Sequence, residues 1–119
     1  MEGLTNYKKE ERPWGNFERF TLNEKSTVKI ITVKEGEAIS LQTHANRDEF
    51  WHIIDGSGTV VIGNETKPAK TGDEFFATRG TPHRVKSGPE GMRFLEISFG
   101  EFAEHDEVRL VDDYGRTSP

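Results

Sequence analysis

Short runs rich in valine, isoleucine, threonine and phenylalanine, cut at near-regular intervals by turn residues, dominate this chain and commit it to β-structure. Candidate strands cover residues 16–22, 27–33, 38–43, 49–54, 58–62, 65–69, 74–77, 83–86 and 92–99. β-Branched and aromatic side chains suit a pleated, half-buried surface. Between the runs stand Lys34-Glu-Gly, Asp55-Gly-Ser-Gly, Gly63-Asn, Thr71-Gly-Asp, Arg79-Gly-Thr-Pro and Ser87-Gly-Pro-Glu-Gly. Glycine supplies positive φ, proline presets φ, and Asn or Asp caps its own backbone, so each cluster is a turn signal with a mechanism. Short strands without helices between them predict an all-β sandwich or barrel, because a parallel sheet would need helical crossovers.

The 119 residues suit one domain, large enough to bury a core without covalent staples. We read residues 1–119 as a single domain, with 1–12 an N-terminal arm and 101–119 a polar C-terminal extension that holds a short helical turn around 106–110. Cysteine is absent, which excludes disulfides and thiolate metal sites and fits a reducing compartment. The first twenty residues mix lysine, glutamate and proline rather than the basic-then-apolar order of a signal peptide, and no apolar run approaches a membrane span. The expectation is a cytoplasmic protein. Sixteen basic and 21 acidic side chains, interspersed, give a net charge of −5. That balance argues against nucleic-acid or acidic-membrane binding, which needs a basic face.

Two segments carry chemistry. The first runs Gly36-Glu-Ala-Ile-Ser-Leu-Gln42-Thr-His44-Ala-Asn-Arg-Asp-Glu49-Phe-Trp-His-Ile-Ile-Asp-Gly56, and the second Gly72-Asp-Glu-Phe-Phe-Ala-Thr-Arg-Gly80-Thr-Pro-His83-Arg. On a strand, Gln42 and His44 stand two apart and share a face. Glu49 opens the next strand after a short turn and can return to the same mouth, and His83 follows the tight Gly80-Thr-Pro turn. One amide oxygen, two imidazoles and one carboxylate converging inside a barrel form a plausible ligand set for one divalent metal. Mixed nitrogen and oxygen ligation suits zinc, manganese, iron, cobalt or nickel alike. Trp51 shares the parity of Glu49 and is a candidate cavity wall for sugar stacking. His52 falls on the opposite face, away from the mouth. Trp14 is expected to pack the arm onto the barrel or a partner subunit, and His105 to face solvent in an acidic tail.

These segments resemble the paired motifs of the cupin superfamily, Gly-x5-His-x-His-x(3–4)-Glu-x6-Gly and Gly-x5-Pro-x-Gly-x2-His-x3-Asn. Gly36, Glu49 and Gly56 match the first, with Gln42 and His44 at its two histidine positions. Gly72, Gly80 and His83 match the second, with Thr78 in place of its proline and Ser87 in place of its asparagine. The fold this implies is a cupin double-stranded β-helix, or jelly-roll, barrel.

A narrower resemblance covers nearly the whole chain. Glu11-Arg-Pro-Trp-Gly15, Leu41-Gln-x-His with Arg47, Glu49 and Trp51, Pro82-His-Arg84, and Val108-Arg-Leu-Val-Asp-Asp-Tyr-Gly-Arg116 are similar, in order, to the C-terminal cupin domain of type II mannose-6-phosphate isomerases. In that family glutamine takes the first ligand position, so Gln42 is expected to be a ligand. Ala45, Asn46 and Phe50 depart from its Gln-x-His-His-His-Arg-x-Glu-His-Trp pattern. The N-terminal guanylyltransferase domain that the family usually carries, and its activity, are not expected here.

The resemblance implies a metal-dependent sugar-phosphate isomerase that interconverts mannose-6-phosphate and fructose-6-phosphate, with zinc as the first choice of metal. The alternative is a non-catalytic cupin that holds a metal and binds a sugar or other small anion. A different cupin enzyme, such as an iron oxygenase, fits Gln42 less well. Arg109 and Arg116, which the resemblance favours, and Arg47 and Arg84 beside the inferred ligands, are candidate phosphate anchors, since a guanidinium fork suits phosphate. No residue stands out as the general base. The partners expected are a sugar phosphate and a second copy of the chain, as a homodimer.

Overall fold

The computed structural model describes residues 3–103 and 106–116, and within them the chain forms nine strands. They are β1 (Lys8–Arg12), β2 (Gly15–Arg19), β3 (Ser26–Val33), β4 (Leu41–His44), β5 (Arg47–Ile62), β6 (Glu65–Lys70), β7 (Glu74–Ala77), β8 (His83–Gly100) and β9 (Glu107–Val111). The all-β expectation holds, and every pairing is antiparallel. No helix among the described residues is long and apolar enough to cross a membrane.

Two long strands organise the barrel. The first half of β5 lies between β7 and the second half of β8, and its second half lies between β6 and the first half of β8. Strand β3 adds to β8, while β4 bridges β8 and β9. The sequence suggested breaks at Asp55-Gly-Ser-Gly and Ser87-Gly-Pro-Glu-Gly, but the chain bends there without reversing. Register shifts between Ile53 and Asp55 and between Gly56 and Gly58 turn β5 through a bulged corner. Bulges bend a strand and tighten its twist, which lets one strand serve both halves of a barrel.

Gly56 shows why that corner tolerates no side chain. Its φ is +86°, and a Cβ there would collide with the carbonyl of Gly91 on the facing bend of β8. Both conditions call for glycine.

The ends of the chain differ from expectation. Residues 8–12 of the supposed arm form a hairpin with β2, whose tip exposes Trp14 (73%), so Trp14 does not pack on the barrel. Residues 107–111 are strand β9 and not a helical turn; they pair with β4 from Leu41↔Val111 to His44↔Glu107. Pairing supplies the edge of β4 with backbone partners that a helical turn could not give. Glu107 and Arg109 alternate with the exposed Val108 and Leu110, the period of a strand.

The barrel interior is divided. One half is apolar, built from Val33, Trp51, Ile53, Val60, Ala69, Val85, Met92 and Phe94. The other half buries Ser40, Gln42, His44, Arg47, Glu49, His83, Glu96 and Ser98. Outside the barrel, Phe50 and Ile97 are covered by Leu4, with Tyr7, Phe20, Phe76 and Phe99 around them. Strand β5 is therefore enclosed on both faces where it carries Glu49. Replacing Gly56 by alanine should cost about 3 kcal/mol from backbone strain and overpacking together. The expected readout is a lower urea midpoint at unchanged slope; an unchanged midpoint would contradict the close approach of the two bends.

Candidate metal centre

Three strands deliver the central residues. β4 ends on His44, β5 carries Glu49 two residues after Arg47, and β8 begins with His83, which sits opposite Gln42 in the ladder. The turn before His83 is tied to the first ligand strand, since Gly80 N–H donates to the His44 carbonyl (2.7 Å). Ligand atoms of His44, Glu49 and His83 all lie within 4.8 Å of one another, and the three residues are buried.

Hydrogen bonds fix which atoms face inward. A carbonyl only accepts, so His83 Nδ1–H donates to the Thr81 carbonyl (2.9 Å) and its Nε2 presents a lone pair. That Nε2 is buried without a hydrogen-bond partner and stands 3.3 Å from Glu49 Oε1. A guanidinium only donates, so Arg47 Nη2 (3.1 Å) makes His44 Nε2 an acceptor as well. Glu49 Oε2 lies 3.1 Å from that nitrogen. Two imidazole lone pairs thus face the two oxygens of one carboxylate. Such a cluster of electron-pair donors needs positive charge between them, and the orphaned His83 Nε2 fits a cation.

Gln42 stands beside them, opposite His83 in the ladder. Its amide nitrogen donates to Ser40 Oγ (3.0 Å) and the Ser40 carbonyl (3.3 Å), so the amide oxygen is the end left for a ligand. Glu49 is further held by Arg47 Nε (3.1 Å) and Trp51 Nε1 (3.3 Å). Burial works to raise the Glu49 pKa, but with protons on His44 and His83 in place of a cation, their hydrogen bonds and charge outweigh it and hold the carboxyl far below its usual range. Burial works against charge on His83 too, yet Glu49 turns the net shift upward.

Beside these residues opens a cavity of about 230 Å³, bordered by Gln42, Arg47, Glu49, Glu96, Arg109 and Arg116 among others. Strand β9 brings Arg109 opposite Gln42. Glu107 holds its Nη2 (2.7 Å), while its buried Nε has no partner. Nη1 of the buried Arg47 also lacks one. Arg116 stands at the rim on Asp112 (2.9 Å).

The remaining sequence candidates fall elsewhere. Trp51 points inward as its parity predicts but is fully enclosed in the apolar core, edge-on to His83 and Phe94, so it does not line the cavity and orients Glu49 instead. Arg84 donates to the Ile39 carbonyl and pairs with Asp113, holding the C-terminal segment rather than facing the cavity. His52 lies on the outer face and bonds Glu74 (2.7 Å). His105 lies outside the described residues.

Glu96 is the site residue that sequence reasoning missed. It lines the cavity from β8, almost fully buried. Burial pushes its carboxyl up to about 7, assisted by the charge of Glu49 and a hydrogen bond with it, against the opposing pull of Arg47 and Lys29. The signal was parity: Met92, Phe94, Glu96 and Ser98 all occupy inward positions of an otherwise apolar run.

Residues 2–113 match the family model described as mannose-6-phosphate isomerase C-terminal. The chain is 35% identical over 113 residues to the xanthan biosynthesis protein XanB of Xanthomonas campestris, covering 93% of this chain and 24% of that protein. It is 35% identical over 107 residues to the mannose-1-phosphate guanylyltransferase ManC of Salmonella typhimurium, covering 88% and 22%. The chain thus spans about a quarter of the length of the curated relatives it matches. Among solved structures it resembles oxalate decarboxylase from Bacillus subtilis, with a TM-score of 0.67 and 27% identity over 80% of this chain and 26% of that one. The fold is the cupin double-stranded β-helix.

A divalent cation at 100 times its dissociation constant should stabilise the protein by about 2.7 kcal/mol, seen as a higher melting temperature that a chelator reverses. The gain should vanish in His83→Ala. A melting temperature indifferent to every divalent metal would contradict the donor set.

Proposed function

We propose that this chain, which belongs to the mannose-6-phosphate isomerase C-terminal family, holds one divalent cation on Gln42, His44, Glu49 and His83 and interconverts mannose-6-phosphate and fructose-6-phosphate. One observation carries this reading: a single cavity is bordered by Gln42 and by Glu49, the carboxylate that His44 and His83 meet from behind, and also by Arg47 and Arg109, whose buried Nη1 and Nε have no partners. A site for a cation next to a site for an anion suits a small ligand with a carbonyl at one end and a phosphate at the other.

The donor set accepts zinc first, and manganese, iron, cobalt or nickel as well. Such a cation supplies Lewis-acid polarisation of the sugar carbonyl. The protein does the rest. Arg109 and Arg116, joined by Arg47, hold the phosphate through guanidinium forks, and Glu107 keeps Arg109 in place. Glu96 is the cavity carboxyl left over once Glu49 is committed and Glu107 is paired. Its oxygen takes the proton from one sugar carbon and returns it to the neighbour, as a positioned base must.

The departures at Ala45, Asn46 and Phe50 do not weigh against turnover. Ala45 and Asn46 lie in the turn between β4 and β5, where their backbone N–H groups donate to Asp106. Phe50 is buried in the cluster outside the barrel. None of the three lines the cavity.

The test is conversion of mannose-6-phosphate to fructose-6-phosphate before chelation, after it, and after metal is restored. Turnover should disappear and return. Glu96→Gln should keep its metal and lose roughly 10²- to 10⁴-fold in kcat, while Arg109→Gln should chiefly raise KM. Full metal occupancy without turnover would overturn the isomerase and leave a cupin that holds metal and binds a sugar or small anion.

A further inference from the structure

Arg47 occupies a position that a phosphate anchor alone does not explain. Its side chain is 4% exposed, deep beside the ligands. Nε donates to Glu49 Oε2 (3.1 Å) and Nη2 to His44 Nε2 (3.1 Å), so one guanidinium bridges two residues of the cation site. Its third nitrogen, Nη1, is buried with no partner, and the guanidinium stacks on the ring of Phe102 (4.4 Å), which also carries Lys29 (4.3 Å).

We infer that Arg47 is a built-in counterion that a divalent cation displaces, and that its release makes metal binding and anion binding in this cavity cooperative. The inference rests on the cation-and-anion reading of the cavity given above. A cation that binds His44 Nε2 and Glu49 takes the single imidazole lone pair that Arg47 Nη2 now uses, draws on the carboxylate that Nε uses, and sets positive charge beside the guanidinium. Arg47 loses its bond to His44 and the full charge of its counterion together. A buried guanidinium without a partner is costly, and little water reaches it. Of the other carboxyls that line the cavity, Glu107 is already paired with Arg109 and Glu96 is itself set against the charge of Glu49. The partner that restores balance is a tetrahedral dianion in the cavity, met also by the unpartnered Nε of Arg109. Coupling of this kind is reciprocal: whatever factor the metal contributes to anion affinity, the anion returns to metal affinity.

The test uses the full chain, Co²⁺ as the metal and sulfate as the dianion. Co²⁺ is titrated by its visible absorption with and without sulfate at constant ionic strength. Sulfate should tighten Co²⁺ binding by roughly 5- to 50-fold in the parent protein. Arg47→Gln should bind Co²⁺ more tightly than the parent when sulfate is absent and show no sulfate effect. Arg47→Lys keeps the charge but cannot bridge both acceptors; it should show a smaller sulfate effect, and serves if the glutamine variant fails to fold. Equal parent affinities with and without sulfate would overturn the inference. So would a sulfate effect that survives in folded Arg47→Gln, which would mean that sulfate ligates the metal directly, or weaker Co²⁺ binding in that variant. A parent protein that binds no Co²⁺ at all would instead overturn the reading of the cavity itself, and this inference with it.

Discussion

A carboxylate enclosed in a β-barrel has to be met by positive charge, and the surroundings of Glu49 are arranged around that demand. The residue is 2% exposed, and taking a carboxylate out of water costs several kcal/mol unless paired charge and hydrogen bonds offset it. Arg47 and Trp51, two residues to either side on the same strand face, each direct an N–H at one of its oxygens. His44 and His83 close the remaining sides with nitrogens that the Thr81 carbonyl and Arg47 have fixed as lone-pair donors. Without a metal the cluster collects charge from Arg47 and from protons on the histidines, and the same atoms could hold a cation in their place.

That demand explains the division of the barrel. Along β5 the inward positions run Arg47, Glu49, Trp51, Ile53, polar at the mouth and apolar below. Trp51 belongs to both halves, since its ring lies in the apolar core while its Nε1 supports Glu49. The outer face of the same strand is sealed by Phe50 under Leu4, which keeps water from the strand that carries the charge. At the mouth, β9 extends the sheet beyond β4 and thereby carries Arg109 to the cavity. Asp106 secures one end of this segment on the β4–β5 turn, and Asp113, held by Arg84, together with Tyr114, which donates to Glu37 (2.7 Å), secures the other.

Much of this was legible in the sequence, and the failures have physical causes. Gln42 and His44 two apart, Glu49 after a short turn and His83 after Gly80-Thr-Pro were readable because strand geometry makes spacing equivalent to direction. The same rule set His52 outside correctly. Parity gives the face of a residue but not its depth, so Trp51 was expected at a cavity wall when it lies beneath one. Glycine clusters signal a change of direction without saying how large, which is why Gly56 and Gly91 read as turns between strands when they are the inner corners of continuous ones. β9 is hidden in the sequence because its alternation lies in a short polar tail whose partner, the edge of β4, is far away along the chain. Glu96 was overlooked as one acidic residue within an apolar strand, although a charged residue at an inward position is the departure from pattern that most often marks function.

The most direct measurement is an anomalous difference map from crystals grown with Mn²⁺. A single strong peak within about 2.0–2.3 Å of the side chains of His44, Glu49 and His83, with Gln42 turning its oxygen to it, is the expected result. No peak there, or a peak confined to acidic residues on the surface, would contradict the four-residue site on which the proposed chemistry depends.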